Sequence, residues 1–269
     1  SVIVGSVSGT SIGSFGTAVN YETSTPSDPR ATFDTSRNQI VIAYRDQDDS
    51  KGKFIVGTVS GNSVTLADAI IYEAGAPGTP GITFDSNSNK VVVGYADGGD
   101  SNKGKAVVFN GSDLNLTSEN FIGFANAAYA NGQKATVKTT GSISRNIPQI
   151  ASTSDAFGDE TVFESADSTW IASTFDSNSN KVVIGYRDVG NSNYGTAIVA
   201  TVSGSSISYG TPVVYNSAAT SQNVLTFDSS NNKVVIAYNN GGDSGHGYAI
   251  VGTVSGTSIS FGSAAEFEN

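Results

Sequence analysis

Thr174–Asp188 reads TFDSNSNKVVIGYRD, and near-copies return as TFDTSRNQIVIAYRD at Thr32–Asp46, ITFDSNSNKVVVGYAD at Ile82–Asp97 and TFDSSNNKVVIAYNN at Thr226–Asn240. Phe33 and Phe84 are 51 residues apart, Phe175 and Phe227 are 52, and Phe84 and Phe175 are 91. A period near 50 falls in the range of propeller blades, and the gap of 91 is read as one ordinary repeat plus a shortened one.

Each copy holds two β-branched and aromatic runs around an Asx-rich turn, which makes strands A and B. After a Gly/Asn/Asp loop come two more runs, as in Tyr248–Val254 and Ile259–Phe267, joined by Ser255-Gly256-Thr257-Ser258; these are strands C and D. Runs such as Val182-Val183-Ile184-Gly185 are apolar without alternation, so both faces of the strand are expected to be buried, as when sheet stacks on sheet. Gly94, Gly185 and Gly252 are expected to let neighbouring sheets approach.

The fold class predicted is all-β, a β-propeller of four-stranded antiparallel blades of about 50 residues in a single domain. The half repeat spans 1–22, and repeats span about 30–73, 82–124, 128–165 (degenerate), 172–216 and 224–269. Six blade positions are favoured, with a five-bladed ring or an open array completed by another copy as alternatives. Phe33, Phe84, Phe175 and Phe227, with Tyr44, Tyr95, Tyr186 and Tyr238, read as core wedges between blades.

Composition narrows the chemistry. Fourteen Lys+Arg against twenty-four Asp+Glu give a net charge of −10, which argues against nucleic acid and anionic lipid as partners. The chain has no cysteine, so it holds neither disulfide nor thiolate metal site. No 18-residue apolar run occurs, so neither membrane insertion nor a signal peptide is expected. With no methionine, even at position 1, the chain reads as processed, truncated or part of something longer.

The A–B and C–D turns hardly differ between copies, whereas the B–C and D–A connections do, and those are expected to share the face that carries recognition. There the B–C loops begin with Arg45-Asp46, Asp97, Arg187-Asp188 and Asn239-Asn240. Asp46, Asp48, Asp97, Asp100, Asp188 and Asp243 offer closely spaced oxygens that could hold calcium, and Asp and Asn also make such turns by themselves. Trp170, the single tryptophan, is placed in a D–A connection, where with Arg187, Asp188, Arg45 and Asp46 it could stack on a sugar; packing at a blade junction is the other use of such a ring. His246 stands alone and no nucleophile-elbow sequence accompanies it, so no triad is read and no catalytic residue is assigned. Paired carboxylates remain open as an alternative, a glycan-active hydrolase at the propeller centre.

The repeat TFDSNSNKVVIGYRDVGNSNYGTAIVATVSGSSISYGTPVVYNSAA resembles repeats of marine bacteriophage structural or tail proteins and marine metagenomic proteins. Glu119–Tyr129 with Gly132–Val137 resembles an ENFIG-type segment found with those repeats, although Ile147–Asp159 departs from its usual continuation. The resemblance implies a virion or extracellular cell-surface β-structure, a tail or fibre component that binds host-surface glycans or other virion proteins, with homo-oligomers among its forms. It brings no catalytic residues.

Overall fold

A computed structural model describes residues 1–110 and 157–269, with two short strands between them. In chain order the N-terminal half repeat gives β1 (Gly5–Ser8) and β2 (Ser11–Phe15), extended by a bridge between Val2 and Val19. Sheet 1 holds β3 (Pro26–Asp34), β4 (Gln39–Asp46) and β5 (Gly52–Ser60), with β6 (Ser63–Leu66) and β7 (Ile70–Glu73) sharing the edge beside β5. Sheet 2 holds β8 (Gly81–Asp85), β9 (Lys90–Asp97) and β10 (Lys103–Phe109). The short pair β11 (Phe124–Ala125) and β12 (Val137–Lys138) follows. Sheets 3 and 4 use β13 (Thr161–Asp176), β14 (Lys181–Asp188), β15 (Tyr194–Ser203), β16 (Ser206–Tyr209), β17 (Val213–Asp228), β18 (Lys233–Asn240), β19 (His246–Ser255), β20 (Ser258–Phe261) and β21 (Ala265–Glu268).

Sheet 3 runs from the second half of β13 through β14 and β15 to β16 and the first half of β17, and sheet 4 from the second half of β17 through β18 and β19 to β20 and β21; sheets 2, 3 and 4 are hydrogen-bonded into one twelve-stranded sheet through β13 and β17, sheet 1 stands apart, and each has the antiparallel order A, B, C, D. Their turns follow from the repeat sequence. Asp34, Asp85, Asp176 and Asp228 each accept two backbone N–H groups of the A–B turn, and Asn38, Asn89, Asn180 and Asn232 close it in the left-handed region. Asn tolerates that region better than other side chains, so D-x-x-x-N is the turn's own requirement. The C–D hairpins put Gly61, Gly204 and Gly256 at positive φ in two-residue loops, where glycine matches the turn to the strand twist.

Two expectations are corrected. First, the fourth strand of sheet 2 comes from the start of β13: Lys103 pairs with Asp167, Gly104 with Glu164 and Lys105 with Val162. Thr161–Ser165 thus lies beside strand C of the 82–124 repeat, and nearly all of 111–156, including the ENFIG-like segment and most of the 128–165 repeat, lies outside the described residues. The spacing of 91 fits extra residues inside a repeat as well as an extra repeat. Second, D and A are not joined by a loop in β13 and β17. Each is one sixteen-residue strand that pairs first with the sheet behind and then with the sheet ahead. Neither contains Gly or Pro, whereas 74–80, with two of each, breaks the same path between β7 and β8.

The sheets stack face to face. Alternation along strand B sends Val182, Ile184 and Tyr186 to the cluster shared with sheet 2, and Val183 to the cluster shared with sheet 4. Val91, Val93 and Tyr95 face sheet 1, while Val92 and Ala96 face sheet 3. The half repeat covers Ile42, Tyr44 and Ile55 of sheet 1. Gly185 permits the approach of Leu225, since an added Cβ would lie 2.8 Å from its Cδ1; Gly94 leaves ordinary contact distances, and Gly252 faces Ile259 and Phe261 of its own sheet instead of a neighbour. No described sheet joins the two ends, so the stack is open.

The aromatic wedges obey one rule. Gly52, Gly104, Gly195 and Gly247 at the start of strand C leave room for the ring of a D-strand residue, Tyr72, Phe163, Tyr215 and Phe267, which sits at a bulge. That ring then meets the strand-B tyrosine of the next sheet: Tyr72–Tyr95, Phe163–Tyr186 and Tyr215–Tyr238, with Tyr21–Tyr44 from the half repeat, all have ring centroids 5.2 Å apart. Edge contacts of this kind contribute about 0.5–1.5 kcal/mol beyond area burial. The strand-A phenylalanines are less uniform. Phe84 and Phe175 are buried, but Phe33 is exposed because the half repeat has no A–B pair to cover it.

A candidate site at the junctions between sheets

The strand-B tyrosine brings polar groups to each junction. Two residues beyond it stand Asp46, Asp97, Asp188 and Asn240; across from it on strand C stand Lys53, Lys105, Thr196 and Tyr248. The previous sheet's D strand contributes Glu73, Glu164 and Asn216, and the half repeat contributes Glu22, each one residue after the wedge ring.

At the first junction the Lys53 ammonium pairs with Asp46 and, at 3.2 Å, with Glu22, which also accepts the Tyr44 hydroxyl at 2.9 Å. Ser24 donates to Asp46 at 2.6 Å. The Lys53 contact, then that of Ser24, holds the Asp46 carboxyl down at about 2. Burial works against the Glu22 charge, but N–H groups of Thr23 and Ser24 with Tyr44 and Lys53 outweigh it and keep its pKa low. At the second junction Lys105 donates to Asp97 at 2.7 Å and Glu160 at 2.9 Å, and Asp100 lies 3.3 Å away. Glu73, Asp97 and Glu160 each offer a carboxylate oxygen within 4.8 Å of the others, and of the acids here Asp97, Glu160 and Asp100 hold the ammonium. Burial opposes the Lys105 charge, yet these acceptors raise its pKa.

The third junction keeps the acids and loses the lysine. Tyr186 donates to Glu164 at 3.2 Å, and Asp188 accepts the Asn191 N–H. Burial, then the charge of Glu164, pushes the Asp188 carboxyl up from its ordinary value. The fourth junction has neither charge: Asn216 donates to Asn240 at 3.2 Å, and Tyr248 turns to Asp243 at 2.5 Å.

The residues singled out from sequence do not gather into one site. Trp170 is in the middle of β13, not in a loop; it holds φ 53 at a strand bulge where Asp28 and Gln222 occupy the matching places, and it is 40% exposed. Arg187, two residues from Trp170 by way of its partner Thr169, gives its guanidinium to Asn193 at 2.6 and 2.8 Å. Arg45 and Asp46 belong to sheet 1, and the Arg45 Nε has no hydrogen-bond partner among the described residues. Of the six calcium candidates, Asp46, Asp97 and Asp100 are engaged by lysines; Asp48 is exposed. Asp243 approaches His246, whose Nδ1 lies 2.9 Å from Glu266. That trio escaped the sequence reading because Glu266 lies in the last strand, twenty residues from His246.

The A strands meet at a cleft of about 230 Å³ lined by residues of all four sheets, among them Arg30, Gly81, Ala172 and Val224. Arg30 is the charged side chain there. Among the described residues no helix is long and apolar enough to cross a membrane. Fold and junctions together define a tandem array of four-stranded β-repeats. No protein-family model matches the chain, nor does any curated protein.

Proposed function

We propose that this chain is a non-enzymatic structural and binding module, a virion tail or fibre component or a cell-surface one, that joins further copies of itself head to tail. One observation carries the reading: the two ends of the stack expose complementary halves of the interface used inside it. At the tail, Val251 is 45% exposed where its counterpart Val199 is fully buried under sheet 4, and Phe267 is 66% exposed where Tyr215 is 7%. At the head, Ile3, Ile12 and Phe15 are exposed, whereas the matching Ile198 and Ile207 pack on sheet 2 with Tyr209. Exposed apolar patches of this kind mark interaction surfaces. Residues 1–21 bear no charged side chain, so the head meets the acidic Glu266–Glu268 edge without repulsion, while two tails would repel. Light scattering after size exclusion should give masses that grow with concentration, and Val251→Asp should return the protein to a monomer; a wild-type monomer throughout would overturn the reading.

The propeller of five or six positions would be reached by closure of one chain upon itself. Six positions stay the favoured number and five the alternative, and the exposed ends favour association between copies.

Host-surface glycans are the ligand class we assign to the module, and Trp170 supports it: an exposed indole held in a strained backbone offers a flat apolar face for a sugar ring. A glycan array should give hits that Trp170→Ala removes. The alternative, a hydrolase, needs two carboxylates about 5–9 Å apart in one cleft; the A-strand cleft is lined by Arg30 and otherwise uncharged side chains, which favours binding.

A further inference from the structure

The four junctions are one design in four versions, and the third is incomplete. In the first two a lysine ammonium lies among carboxylates, Lys53 with Glu22 and Asp46, and Lys105 with Asp97 and Glu160. In the fourth, asparagines replace the acids and no cation is needed. In the third, Glu164 and Asp188 are retained, and among the described residues no lysine, arginine or histidine pairs with either.

The strand-C position that supplies the ammonium elsewhere is Thr196. It pairs with Tyr186 as Lys53 pairs with Tyr44 and Lys105 with Tyr95, so its side chain leaves the strand toward the same junction. Thr196 is 2% exposed and, among the described residues, its hydroxyl has no hydrogen-bond partner. A buried hydroxyl without a protein partner is normally satisfied by a water or an ion.

We propose that a calcium ion binds at the third junction, between the Glu164 and Asp188 carboxylates with the Thr196 Oγ1 beside them, in the place that a lysine ammonium takes at the first two. The donors are all oxygen and two of them are anionic, which suits a hard divalent cation; waters complete the six to eight ligands that calcium takes. Magnesium, which demands near-octahedral geometry, fits a set inherited from a lysine site less well. Thermal unfolding of the intact chain in EDTA and in calcium tests this. With calcium at about 100 times its Kd, Tm should rise by about 5–10 °C.

Thr196→Lys, which restores the lysine of the first two junctions, should raise Tm in EDTA and remove the response to calcium. Glu164→Gln with Asp188→Asn should also remove the response, while circular dichroism in EDTA stays that of the wild type. No calcium response in the wild type would overturn the proposal. So would a response that survives in Thr196→Lys, which would assign the ion to another acidic group such as the Asp243, His246 and Glu266 trio.

Discussion

A single substitution decides whether a junction is charged, neutral or short of a cation. Lys105→Met would leave Asp97 and Glu160 facing each other unpaired. We expect a loss of about 2 kcal/mol in urea unfolding, less than a fully buried pair would give because Glu160 is half exposed. Asp46 and Asp188 should then respond to acid in opposite directions. The Asp46 pKa is depressed, so its contribution is complete above the ordinary carboxylate value near 3.9 and is lost as pH falls toward about 2. The Asp188 pKa is raised, so its ionisation costs stability above the carboxylate range and that cost vanishes as the pH falls below it. Asp188→Asn, which copies Asn240 of the fourth junction, should therefore raise Tm in EDTA at pH 7, with a gain that shrinks in acid; an equal gain at pH 3 would contradict the assignment.

The working element is the pairing of a strand-C glycine, a bulged D-strand ring and the tyrosine of the next sheet. A Cβ at Gly195 would lie 2.5 Å from the Tyr215 ring, which is pinned against Tyr238, so Gly195→Ala should cost about 1–3 kcal/mol in denaturant unfolding. The same change at Gly247 meets Phe267, which is exposed and has room to swing, and should cost under about 1 kcal/mol. The strands, their turns and the buried tyrosines were legible in the sequence because each is a local pattern repeated in register. The destination of Thr161–Ser165 was not, since strand pairing across 111–156 leaves no trace in spacing; the clue was Phe163 one residue before Glu164, as Tyr72 precedes Glu73. Nor did Trp170 declare its bulge, because Asp28 and Gln222 share the backbone geometry but not the chemistry. The junction acids were visible only singly, since Glu164 and Asp188 come from different sheets.

At the scale of the molecule, an open stack inherits at its ends whatever its interior uses to hold together. Val108 of sheet 2 shares a cluster with Ile207 of sheet 3, and Val199 of sheet 3 shares one with Ile259 of sheet 4. In that series Val251 is the next Val and Ile12 is the Ile at the opposite end. The chain has no cysteine, which makes the contact directly testable. With Ile12→Cys and Val251→Cys in one chain, mild oxidation should give a ladder of species in multiples of 27.5 kDa, absent from either single variant beyond the dimer. A product that stays at the mass of one chain, whether uncrosslinked or closed upon itself, would contradict head-to-tail assembly.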